Sequence, residues 1–230
     1  MEQNVIEIRR RQVLHDEKWE KLLKRSWVFC HIPFLDFVLV AGSMATGNVN
    51  KDSDFDVIVA ARQGRIFTAR FFAVVSLGFL GWRRKKLSHK EAAADKICLN
   101  HFITQSSYRL RPPHNEYWKN LYLSLVPVFG PDEFFKNFWL ANEDWLREIP
   151  LYRGDLRHLY KKSSFIKKGA EFILGGGIGN VLERILKNLQ IKRIEKSLKN
   201  DPPGYKPRLI YGDEELEFHP DTKRIEEFIK

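Results

Sequence analysis

Apolar residues recur at helical spacing from Val13 to Cys30, where Trp19, Leu22, Leu23, Trp27 and Cys30 share one side of an amphipathic helix. Pro33 stops that helix. The pattern then changes. "FLDFVLVAG" (Phe34 to Gly42) and "FDVIVAA" (Phe55 to Ala61) read as β-strands, the first running into a Gly-Ser turn. Residues 62 to about 82 are largely apolar and predict a helix, and "KICLNHFIT" (Lys96 to Thr104) predicts a third strand.

Beyond "RPP" (Arg111 to Pro113) the pattern becomes mostly helical, with helices expected around 114–125 and 131–148. The second is opened by "GPDE" and closed by Pro150. A basic helical region follows, with Ile178, Val181, Leu182, Ile185, Leu186 and Leu189 as an apolar stripe. "NDPPGYKP" (Asn200 to Pro207) reads as a turn-rich linker, and the tail as a short strand pair or extended arm before a last helix. The fold class this predicts is α/β (α+β): a small mixed sheet flanked by helices over residues 1–110, then a mostly helical, basic C-terminal region over 111–230.

Composition excludes several classes. The chain has 230 residues, 43% of them hydrophobic, and no repeat at a fixed period. Cys30 and Cys98 are far apart and without ligand spacing, which argues against a disulfide framework or a structural zinc site. The N-terminus lacks the apolar segment of a secretory signal. The greasiest stretch, "FFAVVSLGFLGW" (Phe71 to Trp82), falls well short of the roughly 20 residues that span a bilayer. A cytoplasmic protein without a membrane partner is expected.

The net charge of +10 is concentrated in "RRKKLSHK" (Arg83 to Lys90) and in residues 153–199, leaving the rest slightly acidic. Clustered positive charge predicts a polyanionic partner such as RNA; a solvated helix face is the plain alternative for the second cluster.

Against that background, "GSMATGNVNKDSDFD" (Gly42 to Asp56) gathers carboxylates just before an apolar strand. Asp54 and Asp56 point to the same side of a strand, Cα atoms roughly 7 Å apart. Two ionised carboxylates about 5 Å apart repel by about 3 kcal/mol at an effective dielectric near 20. Nothing basic lies beside them on the strand, so a divalent cation with oxygen ligands is the expected counterion. Upstream, Gly42 lets backbone come close, Ser43 offers a hydroxyl, and free N–H groups attract phosphate oxygens.

The stretch "GSMATGNVNKDSDFDVIV" resembles the defining motif of the DNA polymerase beta-like nucleotidyltransferase superfamily, closest to its minimal nucleotidyltransferase type, through Gly42, Ser43, Ala45, Gly47, Ser53, Asp54 and Asp56. The resemblance covers residues 35 to about 104. It implies a mixed sheet flanked by helices, two Mg²⁺ ions, and transfer of a nucleoside monophosphate from an NTP to an acceptor hydroxyl with release of pyrophosphate. The acceptor could be RNA, a small molecule or a protein. Carried over, Gly42 and Ser43, with Ser53, hold the nucleotide's phosphates, and Asp54 and Asp56 bind metal.

The family's third carboxylate corresponds to Asn100, expected at the site with His101 facing away. An amide oxygen binds Mg²⁺ without charge, and Asp95 or Glu91 are the alternatives before the strand. Arg83, Arg84, Lys85 and Lys86 are the expected phosphate or nucleic-acid contacts, because they precede that strand. The second reading of the same residues is a nucleotide- or RNA-binding protein with impaired catalysis. "LGGGIGN" (Leu174 to Asn180) lacks the Lys-Ser/Thr of a phosphate loop and reads as a turn between helices.

Overall fold

In a computed structural model, the protein is described over residues 2–84, 93–112, 114–148, 162–199 and 208–219. Lys85 and Lys86, the 200–207 linker, the Pro150 helix stop and the expected last helix lie outside these residues. In chain order the elements are α1 (Glu2–Ser26), β1 (Leu35–Val40), α2 (Gly42–Thr46), β2 (Phe55–Ala61), α3 (Ile66–Phe79), β3 (Ile97–Ile103), α4 (Glu116–Leu123), β4 (Val126–Phe129), α5 (Asp132–Leu140), α6 (Glu143–Leu146), α7 (Phe165–Leu174), α8 (Gly177–Leu198), β5 (Arg208–Tyr211) and β6 (Glu215–His219). The fold is α+β, as the pattern predicts.

The six strands form one mixed sheet in the order β4-β1-β2-β3-β6-β5. β1 pairs antiparallel with both β2 and β4. β2 and β3 are parallel, which requires a crossover, and α3 supplies it. β6 pairs antiparallel with β3 and with β5. Three of the six strands therefore come from beyond residue 110 and complete the sheet on both sides of the β1–β3 centre. β4 falls between the two helices expected around 114–125 and 131–148, a strand the pattern did not predict, and its Pro127 is accommodated because β4 is an edge strand.

Strand alternation builds two cores, one on each face of the sheet. Val38, Val40, Phe55, Val57 and Val59 face one core, which α1, α3 and α8 cover through Leu22, Phe67, Ala73, Leu77 and Leu186. Phe37, Leu39, Ile58 and Ala60 face the other, covered by Trp118, Tyr122, Phe135 and Phe138 from α4 and α5. The α1 helix ends at Ser26, and residues 27–31 tighten into a 3₁₀ turn before the chain enters the sheet. No helix among the described residues is long and apolar enough to cross a membrane.

The hairpin β5–β6 anchors through Leu216, fully buried and paired across from Phe102. Leu216→Ala is expected to cost about 2–5 kcal/mol. Each kcal/mol lowers the melting temperature by about 2–4 °C in a chain of this size, so thermal unfolding followed by circular dichroism reads it. An unchanged melting temperature would mean the hairpin is not part of the cooperative fold.

Candidate active site

The site begins where β1 ends. The Ala41 amide donates to the Asp56 carbonyl at 2.9 Å, which locks the two strand ends together. The next residue, Gly42, has φ +63°, and a Cβ built there would lie 2.4 Å from Asp56 Oδ2. Only glycine takes both that conformation and that proximity. α2 then runs for five residues and closes on Gly47 at φ +74°. Ser43 is its second residue, half-buried.

The loop into β2 is pinned by a buried lysine. Lys18 of α1 donates from Nζ to the carbonyls of Lys51 and Ser53 at 3.3 and 2.8 Å, and pairs with Asp95 at 2.7 Å. Asp95 also pairs with Lys21 at 2.7 Å and accepts from Arg25 through its carbonyl. It anchors α1, with one carboxylate oxygen on Lys18 and the other on Lys21. Ser53 is likewise occupied: its hydroxyl accepts from the Asn50 amide at 2.9 Å and sits 3.2 Å from Asn50 Oδ1, closing the turn.

Strand alternation brings Asp54 and Asp56 to the face of the second core, where their oxygens and the Cys98 sulfur lie within 4.8 Å of one another. Asn100 lies beside Asp56 and donates Nδ2 to its Oδ1 at 3.3 Å, so the amide acts here as a donor. Burial first, then the Asp54 charge, raise the Asp56 carboxyl to about 6. Burial and the two aspartates push the Cys98 thiol well up, keeping it protonated.

The absence of a basic neighbour is corrected by the fold. Arg84 donates to Asp54 Oδ2 at 2.7 Å. Residues 82–84 run extended beside β3, where Ile97 donates to Trp82 O at 2.7 Å and Arg84 N donates to Ile97 O at 2.9 Å. Arg83 forms the accompanying bridge to Ile97, and Arg84, one of the two described residues among the four expected at phosphates, is brought to the carboxylates.

His101 does not face away. Asp56 pairs with Cys98 and Ile58 with His101, so β3 carries one extra residue over that interval. This bulge puts His101 on the site's face, against β6. There His101 Nε2 is 3.1 Å from Glu215, and one ligand atom from each of His101, Glu217 and His219 falls within 4.8 Å. Arg208 pairs with Glu217 at 2.8 Å and Arg111 with Glu215 at 2.9 Å. Each carboxylate of this second cluster thus has an arginine beside it, whereas the aspartate pair shares Arg84.

Sequence reasoning missed two residues that interact electrostatically with Asp56. A protonated His219 would lower the Asp56 carboxyl, and the Tyr117 phenol is pushed up by burial and by the Asp56 charge. Tyr117 follows the Asn115 cap of α4, whose side chain accepts from Trp118 N at 3.1 Å, but nothing in the local pattern points that helix at the carboxylates. Separately, a cavity of about 430 Å³ opens between α4 and α6, where His114 and Trp145 stack at 4.7 Å; none of the acidic residues of the site lines it.

Compared with known proteins, the chain matches no family model, no curated sequence and no solved structure. The functional reading rests on the site itself.

In the fold Asp56 keeps its proton up to about pH 6, against 3.8 when free. The folded state then binds more protons than the unfolded one between those values, so stability falls as pH rises through that window. Asp56→Asn, measured with a chelator present, is expected to stabilise the fold at pH 8 by on the order of 1–3 kcal/mol and little at pH 3. Equal effects at both pH values would contradict the raised carboxyl.

Proposed function

We propose that the protein is a Mg²⁺-dependent nucleotidyltransferase that moves a nucleoside monophosphate from an NTP to an acceptor hydroxyl, releasing pyrophosphate. The observation that carries this is the approach of Gly42 to Asp56, with a backbone turn in the left-handed region set directly against an acidic pair. An anion cradle and a cation holder in van der Waals contact are what a metal-bound triphosphate requires.

Asp54 and Asp56 are the residues that would hold Mg²⁺. The donor set fits a hard ion that takes few protein oxygens, while the protonated Cys98 thiol is the wrong donor for it. Bound there, the ion supplies charge neutralisation and polarisation at the phosphates. The chain does the rest. Backbone N–H groups at Gly42 and Ser43 would grip the outgoing phosphates, and Arg84, at Asp54, brings a guanidinium that matches phosphate geometry. Attack by the acceptor oxygen would form the new bond to the α-phosphorus as the bond to the bridging oxygen breaks, pyrophosphate keeping that oxygen and the hydroxyl proton passing to solvent. RNA, a small molecule and a protein all offer such a hydroxyl.

A specific pair of contacts favours the second reading, a nucleotide- or RNA-binding protein with impaired catalysis. Asn100 donates to Asp56 where a third carboxylate would accept, and Arg84 already neutralises Asp54.

Purified protein with Mg²⁺, labelled NTPs and a pool of RNA, small-molecule and protein acceptors separates the two. Label transfer that Asp54→Ala with Asp56→Ala reduces to background supports the enzyme; NTP binding without transfer supports the second reading. Gly42→Ala is expected to lower transfer as well, since its methyl collides with Asp56. Mg²⁺ should raise the melting temperature of the native chain and leave that of the double variant unmoved.

A further inference from the structure

Helix α7 is built inside out. Lys167 and Glu171 point into the protein: Lys167 donates to the Leu35 carbonyl and lies over the Phe129 ring at 5.0 Å, while Glu171 accepts from Phe34 N at 2.7 Å and pairs with Arg62 at 2.9 Å. The outer side carries Phe165 and Phe172, 90% and 89% exposed, with Ile166 and Ile173 beside them. An ordinary surface helix has the opposite polarity.

α8 continues the pattern. Glu183 turns inward to the amides of Phe67 and Thr68 at 2.9 and 2.8 Å, and Gln190 to the Phe67 carbonyl at 2.8 Å. Ile178, Val181, Ile185 and Leu189 are exposed on the outer side. The apolar stripe expected along this helix therefore splits: Leu186 enters the core with Leu182 packed against it, and the other four face outward. α3, packed against α8, adds Phe71, Val75 and Phe79 at intervals of four, the last 91% exposed. Single exposed apolar residues are ordinary, but rows on three helices are not.

The charge on the same helices selects the occupant. Lys168, Arg184, Lys192, Arg193 and Lys196 are exposed, against Glu195, and the chain as a whole carries +10. We propose that this face docks on an anionic phospholipid surface, with the apolar rows in the headgroup–acyl boundary and the basic residues on the phosphates. A second copy of the chain would set the same positive rim against itself. RNA would gain from the lysines and arginines and would stack bases on the exposed phenylalanines, but it would leave the aliphatic Ile166, Ile173, Ile178, Val181, Ile185 and Leu189 in water, where a bilayer covers them. The absence of a membrane-crossing helix among the described residues agrees with lying on a bilayer rather than through it.

The test is sedimentation of the full chain with phosphatidylcholine vesicles and with vesicles that also contain phosphatidylglycerol. Binding is expected to the anionic vesicles alone and to weaken with salt. Phe172→Ser with Ile173→Ser, at exposed positions, should keep the melting temperature and weaken partitioning by about tenfold or more. Lys192→Glu with Lys196→Glu should do the same through charge. No binding to anionic vesicles, or equal binding to both kinds, overturns the proposal. So does a dimer in light scattering that the serine variant dissociates, which would make the occupant a second copy, or RNA binding that the serine variant weakens as much.

Discussion

The contact between Gly42 and the Asp56 carboxylate sets the terms for everything around it. It needs β1 and β2 to end in register, which the Ala41–Asp56 backbone bond secures. It needs a residue without a Cβ, in a conformation that other residues adopt at a cost of roughly 1–2 kcal/mol. It also needs the loop between the strands to stay put, and for that the fold buries Lys18 with its charge on Asp95 and two carbonyls. Structure that exists to hold a backbone turn against a buried, charge-paired acidic strand is costly if it only closes a hairpin. The proposed function gives that cost a reason, a phosphate seated beside a cation.

The electrostatics are poised rather than settled. Asp54 has Arg84, Asp56 accepts from the Asn100 amide and the Cys98 thiol, and burial drives Asp56 toward its neutral form. A site in this condition gains from any added positive charge. Next to it, the Glu215–Glu217–His101–His219 network is balanced by two arginines, so two neighbouring clusters of similar residue types differ in what they invite.

The paired aspartates, their strand, the Gly-Ser turn and the three central strands were legible in the sequence, because they rest on period-two alternation and on Gly and Pro punctuation. What was not legible depends on tertiary placement. Arg84 reaches Asp54 through a segment that pairs with β3 from outside any predicted strand. His101 changes face because one extra residue slips the alternation. β4 is four residues long and contains a proline, so nothing in its pattern outweighs the helices around it. Along α8 the apolar positions are correctly seen as a row, but a row cannot say which of its members face the core.

The most direct measurement is a crystal soaked with Mn²⁺ and a non-hydrolysable NTP, with the anomalous signal used to locate the metal. The account predicts a peak bonded to both Asp54 and Asp56 at roughly 2.0–2.3 Å, with the triphosphate lying against the Gly42–Ser43 backbone. A metal peak elsewhere, with Arg84 still closed on Asp54 and no nucleotide at the turn, would contradict it.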